Sequence, residues 1–436
     1  MTARSDPHGY LAYLRSRRGS SAVFLCVILS ALVSICFAFI YSTIEYTTAS
    51  RADALMRLSG DSLLSEFDRD VLEEYGLFLL RAEDRELSSK LRQYLTYTFG
   101  PEEHVTVTDV KAGSGAFSLS DPAPAREQIL SYMKSGGALK LKLTQENAAD
   151  HTSAGDAGGR PLDSNAGRAL RHGPTITSLP SRQLPRQDFL TGVQGLGEKL
   201  TAGGSIGSIF SDGTDQYLLS SYVLGMFNST TRESNPEHFF YREVEYVLQG
   251  ELTDQENARK TAASLRALRL PPNFAHIYAD PQKQEALAAA AELITPGAAA
   301  VLTQAALAAA WAYAESVNDA ALLMQGQRVP LVKDTASWAI DLESVLKDTV
   351  SGERDGVIRP EENKGLTYDQ YLRMLLFLED EDLITSRILD LIQINMRKNI
   401  DGRFLIGACS CGVIIDARIN RRSYSYEKIY QRLLYR

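Results

Sequence analysis

Residues 22–41 (AVFLCVILSALVSICFAFIY) are apolar without a single charge, and the pattern changes character on both sides of them. A helix rises about 1.5 Å per residue, so a run of this length reaches about 30 Å, the thickness of a bilayer's hydrocarbon core. Over 42–80 the apolar positions thin out to steps of three and four: Ala52, Leu55, Leu58, then Leu63, Phe67, Val71 and Tyr75. Glu66, Asp68, Asp70, Glu73 and Glu74 mostly fill the other face. No proline stands in 42–80, and Gly60 and Gly76 are its only glycines. The spacing predicts that the apolar helix continues through 42–80 as an amphipathic stalk. Residues 67–78 are richest in large side chains and are expected to pack on the body of the chain. The rest of the stripe needs a cover, either that body or a neighbouring subunit.

A second helix is expected over 84–99, ended by Gly100-Pro101. Residues 104–110 (HVTVTDV) alternate and predict a half-buried strand, with Phe117-Ser118-Leu119 as a second. Asp121 reads as the N-cap of a helix over 122–134. Residues 216–227 are apolar and aromatic without a clear period, and 239–249 (FFYREVEYVLQ) form a short element ended by Gly250. Thr253-Asp254-Gln255-Glu256 is a capping signal for a helix over 253–269, expected to stop at Pro271-Pro272. Alanine-rich helices follow over 281–293 and 298–324. The first seventeen residues of the latter are uncharged, the short limit for a span. Alanine is nearly neutral for insertion, however, and Thr303, Gln304 and Trp311 interrupt the run, so a buried helix of the folded body is expected. Residues 368–395 are strongly amphipathic with a break near Glu379-Asp380-Glu381-Asp382; 404–419 read as one or two strands, and 424–435 as an aromatic, basic tail.

Residues 147–213 differ in kind. They are rich in Gly, Ala, Ser, Pro and Asp with no sustained period, and cannot bury enough apolar surface to offset their chain entropy. They predict a disordered low-complexity insert, interrupted only by a short helix over 186–199. The expected organisation is a basic cytoplasmic leader (1–21), a transmembrane helix (22–41), membrane-proximal helices and strand (42–146), the insert (147–213) and a helical ectodomain with C-terminal strands (214–436). That pattern is a helix-dominated α+β fold without internal repeats.

Charge sets the expected topology. Arg4, Arg15, Arg17 and Arg18, with one acid, Asp6, precede the apolar run; eight acids and three arginines (Arg51, Arg57, Arg69) occupy 45–74 beyond it. Basic residues beside a span stay on the cytoplasmic side. The expectation is therefore a single-pass signal anchor in the cell membrane, with the N-terminus cytoplasmic and the bulk of the chain extracytoplasmic. A cleaved secretory signal would have a shorter apolar core and small residues at its cut site, and Phe39-Ile40-Tyr41-Ser42 offers a poor one. Gly19-Ser20-Ser21 add nothing to a twin-arginine reading of Arg17-Arg18. A formal net charge of −8 and a pI near 5.5 argue against nucleic acid as a partner. The partners expected are the lipid bilayer and pilin-like or envelope-assembly subunits.

Candidate chemistry is sparse. No nucleophile elbow, zinc-protease helix or phosphate-binding loop occurs; Gly203-Gly204-Ser205-Ile206-Gly207 lacks the lysine that such a loop needs and reads as linker. Glu243 and Glu245, or Glu361 and Glu362, could in principle do acid–base work, but with no evident nucleophile they read as solvated surface. Glu353-Arg354-Asp355-Gly356 reads as a turn, and Asn228-Ser229-Thr230 is a formal glycosylation acceptor. Cys26 and Cys36 lie in the apolar run, while Cys409 and Cys411 share a face of a strand and read first as core thiols, a redox pair being the alternative. No residue is singled out as catalytic, cofactor-binding or metal-ligating.

The N-terminal 80 residues, a basic leader with Arg17-Arg18-Gly19, an apolar span and a continuing helix, resemble TadE/TadG-like proteins of tight-adherence pili and pilin-like proteins generally. More closely, the chain resembles an uncharacterised family of anchored proteins in Gram-positive bacteria. The matching segments are Arg18-Gly19-Ser20; Glu66-Phe67-Asp68-Arg69-Asp70 with Leu72-Glu73-Glu74-Tyr75-Gly76-Leu77-Phe78; Glu245-Tyr246-Val247-Leu248-Gln249-Gly250; Val329-Pro330-Leu331-Val332-Lys333; and Leu366-Thr367-Tyr368-Asp369-Gln370-Tyr371-Leu372. Pilin-type leaders are cut after a glycine, with a glutamate five residues on; here Phe24 follows Gly19 at that place. The resemblance implies an accessory component rather than a major fibre subunit. The expected function is thus a non-enzymatic membrane-anchored surface protein. The alternative is an envelope hydrolase, which would need a pocket holding two carboxylates about 5–10 Å apart.

Overall fold

The computed structural model describes residues 8–81, 83–99, 105–137, 167–185, 189–201, 214–351 and 364–430, and their side chains except those of 8–20 and 348–351. In chain order the elements are α1 (His8–Leu64), α2 (Arg69–Tyr75), β1 (Leu80–Arg81), α3 (Asp84–Phe99), β2 (Val107–Gly113), α4 (Pro122–Tyr132), α5 (Gly173–Thr177), α6 (Phe189–Thr201), α7 (Asp215–Met226) and α8 (Glu243–Gln249). There follow α9 (Asp254–Ala279), α10 (Pro281–Ile294), α11 (Ala300–Met324), α12 (Leu342–Ser351), α13 (Tyr368–Leu376), α14 (Glu381–Asn399), β3 (Cys409–Ser410), β4 (Gly412–Ile419) and β5 (Arg422–Ile429). The fold is helix-dominated α+β, as the pattern predicts. Two units result: one gathers α1, α3, β2 and the β4–β5 hairpin, and the other the remaining elements.

In the first unit, α1 and α3 cover a three-stranded antiparallel sheet in the order β2-β4-β5. Ala52, Met56 and Leu63 of α1, and Leu87, Leu91, Leu95 and Phe99 of α3, recur at near-helical steps and are buried with Val110, Ala112, Val413, Ile415, Ala417 and Ile419 of the sheet. Leu58, counted in the apolar stripe, is 60% exposed. Gly60 lets α1 settle on the sheet: an added Cβ would meet Lys428 Cγ at 2.9 Å and Ile415 Cδ1 at 3.0 Å. β2 starts three residues later than the sequence suggests. A bulge between Thr108 and Lys111, with Asp109 at φ +49°, shifts the inward positions to Val110 and Ala112. The β4–β5 turn is Asn420-Arg421, with Asn420 at φ +54°, and Asn420 N donates to Thr106 O at 2.7 Å.

The continuous helix expected over 42–80 ends instead at Leu64. Beyond it Asp68 caps α2, accepting from Val71 N at 3.1 Å, and its own N–H donates to Leu79 O at 2.8 Å. Gly76, at φ +69°, then closes α2 in the left-handed conformation. Capping and a chain reversal that bridges Phe67 to Leu80 thus override the 3.6-residue period. Phe117-Ser118-Leu119 is no strand either: Gly115–Phe117 form a 3-10 turn, followed by a single bridge from Ser118 to Ser410.

The second unit is built around α9. This helix does not stop at Pro271-Pro272 but runs on to Ala279. Pro272 leaves the Leu268 carbonyl without its helical donor, a step that costs about 3 kcal/mol in an exposed helix. Here α6 packs against that step, with Gly197 so close that a Cβ would lie 2.9 Å from Leu268 O and 3.0 Å from Pro271 Cγ. The reading of 147–213 as a disordered insert therefore fails for 167–185 and 189–201. Leu170, Leu179, Val193, Leu196 and Leu200 are buried there, giving these stretches the apolar area that composition seemed to deny them. The helix expected over 186–199 is α6, displaced by two or three residues; the rest of 147–213 lies outside the described residues. So do Gly100-Pro101, His104, Gly203 to Gly207, Glu353 to Gly356, Glu361-Glu362, residues 1–7 of the leader and the end of the tail. The start of that tail, Arg422–Ile429, is strand β5.

Other sequence signals hold. Asp121 caps α4, Thr253 caps α9, and Asp380 starts α14 by accepting from Asp382 N and Leu383 N at 3.0 and 3.1 Å, which is the break expected at 379–382. Residues 216–227, ambiguous by period, are helical because Thr214 caps Tyr217 N and one helix face is buried.

Candidate functional site

The first unusual surface is the apolar part of α1. Phe24, Leu25, Phe37, Phe39 and Tyr41 are each 65–70% exposed, and the most apolar eighteen-residue window of 21–64 has mean hydropathy 2.9 with none of it buried. Monomeric soluble proteins rarely expose a contiguous apolar patch of this extent. By length and composition the helix is able to cross a membrane. The α11 region, 297–324, passes the same test at mean hydropathy 1.3. Its Glu315 and Asp319, however, are fully buried in a polar cluster of the folded body.

That cluster joins four buried charged side chains. Arg269 and Asn273 on α9 face Glu315, Ser316 and Asp319 on α11, and Lys333 enters from the following loop. Arg269 Nε donates to Asp319 Oδ2 at 2.9 Å, Lys333 Nζ lies 2.6 Å from Asp319 Oδ1, and Lys333 also pairs with Glu315. Asn273 Nδ2 donates to Asp319 Oδ2 (2.9 Å) and Ser316 Oγ (3.0 Å), and Glu315 accepts from Ala339 N and Ile340 N. Arg269 also reaches Leu331 O at 2.6 Å. Burial would raise the Asp319 carboxyl, but Arg269 and Lys333 outweigh it and hold the group below its ordinary range. Two cations and two anions, each bonded on several sides, make a neutral polar knot. Trp311 and Trp338 pack edge to face beside it, 5.7 Å apart.

The acids Glu243 and Glu245, expected at a solvated surface, are both fully buried. They sit in the first turn of α8 and receive the backbone of a preceding loop: Asn228 N donates to Glu243 at 3.0 Å and Thr230 N to Glu245 at 2.9 Å. Tyr368 donates to Glu245 at 2.7 Å. Burial raises the Glu245 carboxyl against these bonds. His238 is clamped between Glu243 (2.6 Å) and Glu74 (2.7 Å). Burial alone would lower this imidazole, but its bonds to the two carboxylates raise it to about 9. Nothing in composition distinguished these acids; the signal was their i, i+2 spacing directly before an apolar run, where a helix N-terminus collects backbone donors. Asn228 is 2% exposed, its amide donating to Asn235 O and Phe240 O, so the folded chain does not present it for glycosylation.

Cys409 and Cys411 are free and buried, and burial pushes both thiols up to about 12, which suits core packing and not nucleophilic or redox chemistry. Cys26 and Cys36 are free and exposed on α1. A pocket lined by Asp121, Glu127 and Cys411 measures about 210 Å³, under the roughly 300 Å³ at which ligand sites begin, and Asp121 is engaged as the cap of α4. No group of three or more potential metal ligands occurs among the described residues.

Three of the segments that carried the family resemblance, 245–250, 329–333 and 366–372, meet these clusters. Val329 pairs with Leu366, Tyr371 and Lys333 meet the charged knot, and Tyr368 and Glu245 meet each other. A family model described as a family of unknown function, DUF5702, matches residues 173–421. The matched stretch starts inside 147–213 and leaves out 1–80, on which the TadE/TadG-like likeness rests. No curated protein and no solved structure matches. With more than half of its length matched, including the whole Arg269–Asp319–Lys333–Glu315 knot, the chain belongs to DUF5702, a family of unknown function.

Proposed function

We propose that this chain is a non-enzymatic, membrane-anchored surface protein whose folded body takes part in a pilus-like or cell-envelope assembly as an accessory component. One observation carries the reading. α1 is a single helix that is bare and apolar over 22–41 and then, through Ala52, Met56 and Leu63, becomes part of a folded unit. The element that would enter the bilayer and the element that the body packs on are thus one rod, which suits an anchor that holds a body close to a membrane. The arginines before the run favour a cytoplasmic N-terminus, and the TadE/TadG-like layout of 1–80 favours assembly with other envelope subunits.

Membranes from cells making the full chain test this. The chain should resist extraction by alkaline wash. A thiol at Gly402→Cys, where an added Cβ meets nothing, should react with an impermeant reagent on intact protoplasts, whereas one at Ser5→Cys should not. Native Cys409 and Cys411 are buried and do not compete. Release by the wash would sink the anchor, and the reverse labelling pattern would invert the topology. Crosslinking in the native membrane should trap an envelope subunit; recovery of the chain alone would remove the assembly role.

A further inference from the structure

A cleft of about 630 Å³ in the first unit opens between α1 and the tip of the β4–β5 hairpin. Tyr41, Ile44 and Glu45 line it from the helix, and Arg421, Arg422 and Tyr424 from the hairpin. Its position follows from helix geometry. The apolar run ends at Tyr41, and Tyr41 to Glu45 is one helical turn, a rise of about 6 Å. The polar layer on each side of a hydrocarbon core is about 5–8 Å deep. If α1 spans a bilayer as proposed above, the mouth of this cleft lies at the depth of the lipid headgroups.

Its chemistry fits that depth. Tyr41 and Tyr46 are 65% and 76% exposed, as aromatic rings at a membrane interface are, and Ile44 adds an apolar wall. The chain is acidic as a whole, yet 417–426 (ARINRRSYSY) carries three arginines and no acid. Arg418, Arg421 and Arg422 are all exposed, and Arg418 and Arg421 have no ion-pair partner among the described residues. Arg422 lies 3.7 Å from Glu45, the one carboxylate in the cleft lining. The hairpin is strapped along α1, so this charge is held in place. Tyr424 OH donates to Ala49 O at 3.5 Å, Tyr426 bonds Asp53, Arg57 covers the Tyr426 ring, and Lys428 pairs with Asp61 at 2.7 Å.

We propose that this cleft receives the headgroup of an anionic phospholipid from the leaflet that α1 enters, with the phosphate held by Arg421 and Arg422 and the first part of an acyl chain lying along Ile44 and Tyr41. Guanidinium forks pair with phosphate in two parallel hydrogen bonds, which a zwitterionic lipid can match only by keeping its own cation close by. The proposal rests on the anchor reading, and the experiment separates the two.

The full chain is reconstituted into vesicles of phosphatidylcholine alone or of phosphatidylcholine with phosphatidylglycerol. It is floated after an alkaline wash, then extracted in mild detergent and examined by native mass spectrometry, with inorganic phosphate as a third probe. The expected result is a floating chain that retains phosphatidylglycerol in preference to phosphatidylcholine and is not stripped of it by inorganic phosphate. Arg421→Gln with Arg422→Gln should abolish the preference while leaving the tryptophan emission of the chain unchanged. Glu45→Gln removes the competing carboxylate and should strengthen retention, a gain that misfolding would not mimic. A chain that floats but retains both lipids equally, loses its lipid to inorganic phosphate, or keeps its preference in the double variant overturns the lipid site alone. A chain that washes off overturns the anchor as well.

Discussion

Lys333→Met tests the charged knot most directly. The lysine ammonium is 2% exposed and touches both Glu315 and Asp319, which are fully buried. Methionine matches its length and removes its charge, leaving two carboxylates against Arg269. Breaking one side of a buried, hydrogen-bonded ion cluster costs about 3–5 kcal/mol, because the remaining charge has no water to turn to. With a urea dependence of about 1–3 kcal/mol per molar, the unfolding midpoint should fall by roughly 1–5 M. The assay is built into the molecule: the chain has two tryptophans, Trp311 and Trp338, which pack on each other, and the Trp338 ring lies 5.7 Å from Lys333 Nζ. Their emission therefore reports the unfolding of this region. Lys333→Met combined with Glu315→Gln restores neutrality, so it should recover more than half of the loss. A single variant within about 1 kcal/mol of the parent, or a double variant whose cost is the sum of the two singles, would refute the reasoning.

Three further outcomes are expected. The His238 imidazolium, raised to about 9 in the fold against about 6.5 in the unfolded chain, stabilises fully below pH 6.5 and loses that contribution as pH rises through 9. The span corresponds to about 3 kcal/mol, and urea midpoints measured from pH 6 to 9.5 should fall accordingly; an equal fall in His238→Gln would assign it to other groups. Gly197→Ala should cost about 1–3 kcal/mol and expose 189–201 to protease, because its Cβ meets backbone at 2.9 Å, whereas Gly195→Ala, with open space around it, should gain about 0.5–1 kcal/mol of helix propensity. Leu63→Asp should destabilise the first unit by about 3–5 kcal/mol, while Leu25→Asp, at a position 69% exposed, should leave thermal unfolding of the body unchanged and impair only membrane retention.

What could be read from the sequence was what is local. Asp121, Thr253 and Asp380 announced their helices because a cap uses side chains within three residues of it. The bare run of α1 needed only a count of apolar positions. What escaped depends on partners distant in the chain. Pro271-Pro272 looked like a terminus because the price of a proline is local, whereas the elements that pack on this stretch, α6 at Gly197 and α11 through Asp319, lie far away in the chain. Glu243 and Glu245 looked like surface because burial of an acid depends on donors that composition does not place. Residues 167–185 looked structureless because their leucines matter only once elements distant in the chain, α14 among them, offer a surface to receive them. Each error assigned a segment its own energetics where the fold gives it shared ones.

The unbroken course of α1 also fixes an angle. Each residue of a helix turns the chain by about 100°, so Tyr41 and Ala52 stand in a set rotational phase, and no glycine or proline between them gives any slack. Whatever holds the apolar end thereby decides which way the folded unit faces. One residue inserted between Tyr41 and Ile44 would swing that unit by about a quarter turn relative to the apolar run while keeping its contacts at Ala49 and beyond, and seven would bring it almost back into register about 10 Å further out. The helix is in this sense a key as well as a tether: its length in residues encodes the direction in which the first unit is presented.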